Sequence, residues 1–184
     1  MSRIADDVVL IDTLLGGEEG ITAAFLVAGE NPALVDPGAE TSADTTAAAL
    51  AARGVGADDL AWIVLTHIHL DHCGATGDLA ARFPRAKIVV HPRGVRHLIE
   101  PARLVAGTAA VHGPALAPLY GGLDPVPEHR IVEAPDDHRV VIGPGRELQM
   151  VETPGHARHH HSIFVEYAGL VIAGDAAGAR MPGS

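Results

Sequence analysis

The stretch "AWIVLTHIHLDHCGATG", residues 61–77, decides how the whole chain is read. Trp62 to Leu65 is an apolar run fit for a buried strand, yet it runs straight into His67, His69, Asp71 and His72. Burying Ile63, Val64 and Leu65 is favourable. Four ionisable groups carried to the same place lose hydration, and something must compensate them. A metal ion does so. In an extended segment a spacing of two sets His67 and His69 on the same side, within reach of one ion. Asp71 and His72 fall in the following turn and can serve an adjacent ion. Imidazole and carboxylate suit zinc, iron or manganese, whereas a structural zinc more often takes thiolates, and Cys73 is the only cysteine. The donor set therefore points to a catalytic or redox centre. Solvated loop histidines would account for one or two of these groups, not for four within residues 67–72.

Composition limits what such a centre can serve. The 184 residues suit a single domain, 1–184, and 47% hydrophobic residues with 3% aromatic describe a core of Ala, Val, Leu and Ile. Against 23 Asp and Glu stand 13 Lys and Arg, and the formal charge of -10 disfavours a nucleic-acid backbone as partner. A single cysteine forms no intrachain disulfide. The N-terminal "MSRIADDVVLID" has acidic residues where a signal peptide needs an unbroken apolar core. No apolar run approaches the roughly 18 residues of a membrane span. We expect a cytoplasmic protein with a small-molecule substrate and no membrane partner, able to form a homo-oligomer.

Outward from the quoted stretch, strand and helix signals alternate. "DVVLIDT" and "GITAAFLVAGENPALVDPG" read as strands of a meander broken by Gly, Asn and Pro. Thr41 or Ser42 is placed to cap a helix through "ADTTAAALAARG", closed by Gly54. "LAWIVLT" is a buried strand, "GATGDLAARFP" a helix stopped before Pro84, and "AKIVVH" another strand. "RGVRHLIEPARLVAG" gives helical pieces interrupted by Pro101. From His112 to Pro135 prolines and glycines leave little periodicity, which reads as a long excursion bordering a site. "HRVVIG", "RELQMVET", "HSIFVEYA" and "GLVIAGD" are four further strands. Grouped strands favour α+β layers over a doubly wound parallel sheet. No Gly-rich phosphate loop and no repeat is present.

The quoted stretch resembles the His-x-His-x-Asp-His motif of the metallo-β-lactamase fold superfamily. Three further stretches match that family's other motifs in order: "LVDPG" at 34–38, "TPGHARHHHS" at 153–162 and "AGDAAG" at 173–178. The wording most resembles glyoxalase II-like proteins within the superfamily. The resemblance implies an αββα sandwich with metals at one edge. It implies His67, His69 and His156 on a first metal, Asp71 and His72 on a second, and Asp175 bridging them. Asp36 would orient the metal loop by hydrogen bonding. One or two zinc ions are expected, with iron or manganese as alternatives. A bridging hydroxide would be the nucleophile of a hydrolase acting on a small ester, thioester or lactone, with Asp71 as ligand and proton relay.

His159, His160 and His161 are expected to support the site rather than ligate. His91, His97, His112, His129 and His138 lack motif context and read as surface or core residues. Cys73 reads as a small apolar residue beside the metal loop. The family also supplies a last histidine beyond the "GD" motif, whereas Ser184 lies nine residues past Asp175 and "ARMPGS" offers no closing element. The sequence thus reads as a sandwich lacking its C-terminal part, with a tight first metal site and a weak second one. Two alternatives stand beside the hydrolase: a mononuclear iron dioxygenase of the persulfide type, and a non-catalytic metal-binding fragment.

Overall fold

Short apolar runs closed within a few residues by Gly, Asn or Pro pair laterally before they can extend, and the first third of the chain does this. In the computed structural model, which describes residues 2–178, β1 (Ser2–Ala5), β2 (Val8–Asp12), β3 (Ala23–Val27) and β4 (Ala33–Val35) form an antiparallel meander. The next strands each follow a helical crossover. α1 (Ala43–Ala51) leads to β5 (Trp62–Val64), and α2 (Leu70–Cys73) with α3 (Thr76–Arg82) leads to β6 (Lys87–Val90). α4 (Val95–Ile99), α5 (Ala102–His112) and α6 (Leu116–Leu119) precede β7 (Ile131–Glu133). Strands β4 to β7 are accordingly parallel, in a seven-stranded sheet of order β1-β2-β3-β4-β5-β6-β7. β8 (Arg139–Gly143), β9 (Arg146–Glu152), β10 (His161–Val165) and β11 (Leu170–Ile172) make a second, antiparallel sheet of order β11-β10-β9-β8.

Two apolar layers hold these parts together. Ile63, Leu34 and Ile88 face Leu50, Leu79 and Leu98 on the helical side of the larger sheet. Val64, Val35 and Val89 face Ile142, Leu148, Met150 and Ile163 between the sheets. Neighbouring residues Ile63 and Val64 thus enter different cores, as strand alternation requires. A strand buried on both faces reads as an unbroken apolar run, which is why "WIVL" shows no alternation.

The layers are those of the α+β sandwich that the resemblance implies. Among the described residues every α-helix precedes β7. The outer face of the smaller sheet exposes Val141, Val151 and Val171. The expectation for "ARMPGS" lies outside the described residues.

Three local readings need correction. β1 has no strand signal of its own, because "SRIA" is short and mostly exposed and becomes a strand only by pairing with β2. The 112–135 excursion is not irregular throughout: it contains α6 and β7, and the proline-flanked "IVE" is a strand because β6 offers it a parallel edge. Ser42 stands at the N-cap of α1, but its buried hydroxyl makes no capping bond, since a 3₁₀ turn over Glu40–Ser42 leads into the helix.

Ile63→Ala should lower unfolding stability by about 2–5 kcal/mol through lost burial and a residual cavity at the strand that carries the metal loop. Denaturant titration checks this, and a change below about 1 kcal/mol would show that β5 is not central.

Candidate metal centre

The loop after β5 is fixed before its histidines are reached. Asp36, following β4, accepts hydrogen bonds from the Thr66 amide at 2.8 Å and the Thr66 hydroxyl at 2.7 Å, and its own amide donates to Val64 at 3.0 Å. From the other sheet the His161 amide donates to the Thr66 carbonyl at 2.7 Å. Asp36 is 1% exposed and sits at φ 51°, a left-handed conformation uncommon outside glycine. α2 starts directly after His69, whose carbonyl accepts the amides of His72 and Cys73. Asp71 and His72 therefore project from a first helical turn.

These local constraints bring the motif residues together with the loops after β9 and β11. His69 Nδ1 lies 2.9 Å from His156 Nε2, and His156 Nε2 lies 3.3 Å from Asp175 Oδ2. Asp175 Oδ1 is 3.2 Å from His72 Nε2, and its Oδ2 is 3.9 Å from His67 Nε2. Two donor groups result, His67 with His69 and His156, and His67 with His72 and Asp175, each with all ligand atoms within 4.8 Å of one another. Asp71 belongs to neither group but places Oδ2 3.6 Å from His72 Nε2.

Hydrogen bonding settles which nitrogens face inward. The Thr66 hydroxyl gives its proton to Asp36, so at 3.0 Å from His67 Nδ1 it can only accept, and Nδ1 carries the ring proton. His67 Nε2 is left as a buried lone pair without a hydrogen-bond partner. His72 Nδ1 donates to Asp36 Oδ2 at 2.9 Å, which turns Nε2 toward Asp175. A metal-binding histidine usually gives its other N–H to such an acceptor. The orphaned nitrogen and the oriented donors fit a divalent cation.

The charges agree with this fit. Burial, then the neighbouring His72 and His69, hold His67 far below the usual imidazole range, and burial and His156 lower His69. Burial also presses His72 down, but Asp36 and Asp175 outweigh it and raise its pKa to about 11. The hydrogen bond from His72 holds Asp175 well below the usual carboxylate range. Without metal the centre thus combines a neutral His67 and His69 with a His72 imidazolium clasped by carboxylates.

Other residues of the motif stretches support the donors, His160 as the sequence leads one to expect. His160 accepts the Asp175 amide at Nε2 over 3.1 Å, and its Nδ1 meets Thr153 Oγ1 at 2.9 Å. Gly174 turns at φ 51°, and a Cβ there would come within 2.7 Å of His160 Nε2 and 2.8 Å of Thr66 Oγ1, so the "GD" glycine is a steric requirement. A cavity of about 550 Å³ opens above the donors, lined by Leu70, Leu104, Val111 and Tyr120 with His97, His112 and His159. His97 and His112, read from sequence as surface or core residues, thus stand on its wall. Cys73, the last residue of α2, is fully buried in the core, where burial pushes its thiol up. Among the described residues no helix is long and apolar enough to cross a membrane.

Comparison with known proteins follows the same outline. The family model described as "Metallo-beta-lactamase superfamily" matches residues 16–184. A metallo-beta-lactamase fold-containing protein of Sulfurisphaera tokodaii is 33% identical over 136 residues, covering 68% of this chain and 48% of that protein. An N-acyl homoserine lactonase of Azorhizobium caulinodans is 31% identical over 117 residues, covering 62% of this chain and 39% of that protein. The chain therefore spans about half or less of the length of these relatives. The crystal structure of an archaeal metallo-beta-lactamase superfamily protein from Sulfolobus tokodaii superposes with a TM-score of 0.76 at 26% identity, covering 96% of this chain and 66% of that one.

Two outcomes are expected. Asp36→Ala should weaken metal binding about 10- to 100-fold without abolishing it, because it frees Thr66 and His72 but removes no ligand; equilibrium dialysis checks this, and a loss as complete as that of His67→Ala would make Asp36 a ligand. Proton release should distinguish the two groups. The folded pKa of His72 is raised, so its pairing with Asp36 and Asp175 is fully present below its ordinary 6.5 and fades as pH rises through about 11. Within that window a metal must displace its proton, and affinity there should rise roughly tenfold per pH unit. Calorimetry in buffers of different ionisation heat should count about one proton for the His72 group and about none from His67 and His69; equal release from both groups would contradict this reading.

Proposed function

Because the chain belongs to the metallo-beta-lactamase superfamily, we propose that it is a metal-dependent hydrolase acting on a small ester, thioester or lactone. The observation that carries this reading is that one carboxylate, Asp175, reaches both donor groups, 3.3 Å from His156 Nε2 and 3.2 Å from His72 Nε2, beside a cavity of about 550 Å³. His67, His69 and His156 would hold one ion and Asp71 and His72 the other, with Asp175 within reach of both. Zinc suits this set best, and iron or manganese can replace it. When bound, such ions supply a water that ionises near neutral pH and polarisation of a carbonyl oxygen.

The remaining work falls to the chain. Asp36 fixes the ring of His72 and, through Thr66, that of His67. His160 fixes the backbone of Asp175. Asp71 lines the cavity beside His72, where it accepts or relays the proton that passes to the leaving group. Leu70, Leu104, Val111 and Tyr120 give the cavity an apolar wall that takes an acyl or alkyl portion and keeps water off the carbonyl. The lactone on the substrate list takes support from the relatives described as N-acyl homoserine lactonases.

A second reading has its own observation. His67, His72 and Asp175 form a two-histidine, one-carboxylate set of the kind that holds iron in oxygenases. Metal analysis with a turnover panel separates the two. The hydrolase reading expects turnover of at least one ester, thioester or lactone, with Asp71→Asn lowering kcat about 10²- to 10⁴-fold. A lone iron with oxygen consumption and no hydrolysis would overturn it.

A further inference from the structure

A second cluster of metal-binding side chains lies outside the centre described above and shares no residue with it. His91 follows β6, Glu152 ends β9 and His161 begins β10, and their ligand atoms lie within 4.8 Å of one another. Glu152 and His161 are register partners across the β9–β10 ladder, so their side chains leave the same face side by side. His91 reaches them from the other sheet, with Nε2 3.1 Å from Glu152 Oε1 and its ring 4.9 Å from that of His161. Three elements from two sheets thus converge on one point.

His161 makes the cluster more than a histidine–glutamate hydrogen bond. Its ring is 0% exposed, and neither Nδ1 nor Nε2 has a hydrogen-bond partner. A buried imidazole with both nitrogens unpaired is costly, and most buried polar side chains avoid it. Both charge and geometry name what is missing. Two neutral imidazoles and one carboxylate, with the carboxylate partly open to solvent for entry, suit a divalent first-row cation completed by water.

We propose that His91, Glu152 and His161 form a second, separate site for a zinc-class divalent cation, which clamps the base of the His156 loop to β6. Residues 153–160 form that loop, and Glu152 and His161 are its two ends. Binding has two internal opponents. His91 Nδ1 accepts the Arg93 amide at 3.0 Å, so the ring proton sits on Nε2 and is donated to Glu152 Oε1 at 3.1 Å. Coordination through Nε2 moves that proton to Nδ1 and gives up both hydrogen bonds. Two hydrogen bonds contribute little beside coordination by three side chains, two of them the former partners, so the exchange favours the ion. His91, read from sequence as a surface or core residue, is here a ligand.

The inference stands independently of hydrolysis, since an inactive chain could still hold this ion. The test uses Co²⁺ alone as probe. His69→Ala/Asp175→Ala removes one donor from each group of the main centre, and both residues are partly exposed. This variant should keep one tightly held Co²⁺ with the visible absorption of a nitrogen-ligated ion. Adding Glu152→Gln should weaken that ion by at least about 100-fold, more than the loss of an outer hydrogen-bonding group does. Absence of any Co²⁺ in the folded double variant would overturn the proposal, as would an ion that survives both Glu152→Gln and His91→Ala. Glu152→Gln in the otherwise unaltered chain covers the case of a double variant that does not fold. Glutamine still accepts the His91 hydrogen bond, so the fold stands, and total Co²⁺ should fall by one equivalent; an unchanged total overturns the assignment.

Discussion

One buried carboxylate holds the rest in place. Asp36 accepts the Thr66 amide, the Thr66 hydroxyl and the His72 ring proton, all within 2.9 Å, while 1% exposed and in a left-handed backbone conformation. Burying a carboxylate is unfavourable unless its oxygens are filled, and here they are. The consequence is directional. Because the Thr66 proton is committed to Asp36, His67 must donate to Thr66, and because Asp36 also takes the His72 proton, both Nε2 atoms are aimed at Asp175. A single buried carboxylate thus sets which nitrogen of two histidines faces inward.

That arrangement exists only because two sheets end at the same edge. The larger sheet delivers Asp36 and the 66–72 loop from parallel strands, and the smaller sheet delivers His156 and His160 from the turn between β9 and β10 and Asp175 from the turn that follows β11. The His161 amide on the Thr66 carbonyl ties them directly. Gly174 completes the approach, since any side chain there would meet His160 and Thr66. The inter-sheet core of Val64, Val89, Ile142, Met150 and Ile163 sets the spacing, so packing far from the donors controls their distances.

Much of this was legible because the informative residues are dense and ordered along the chain. The apolar run before His67 marks β5, the "TPGH" and "GD" stretches mark the loops that meet it, and "LVDPG" marks Asp36. What could not be read depends on lateral partners. β7 is three residues among prolines and is a strand only against β6, and β1 is one only against β2. His91, His97 and His112 carry no local pattern; their places on the second cluster and the cavity wall come from crossovers that bring distant segments together. Ser42 shows the opposite failure, a good capping residue whose hydroxyl the adjoining turn leaves unused.

The central claim is that His67 Nε2, buried and without a hydrogen-bond partner, is a metal ligand. Anomalous diffraction from crystals of this chain grown with zinc, measured on both sides of the zinc absorption edge, addresses it most directly. The account predicts an edge-dependent peak within bonding distance of His67 Nε2, with His69 and His156 or His72 and Asp175 around it. A well-ordered His67 whose Nε2 is met by water or a protein group, with no zinc peak beside it, would contradict the account.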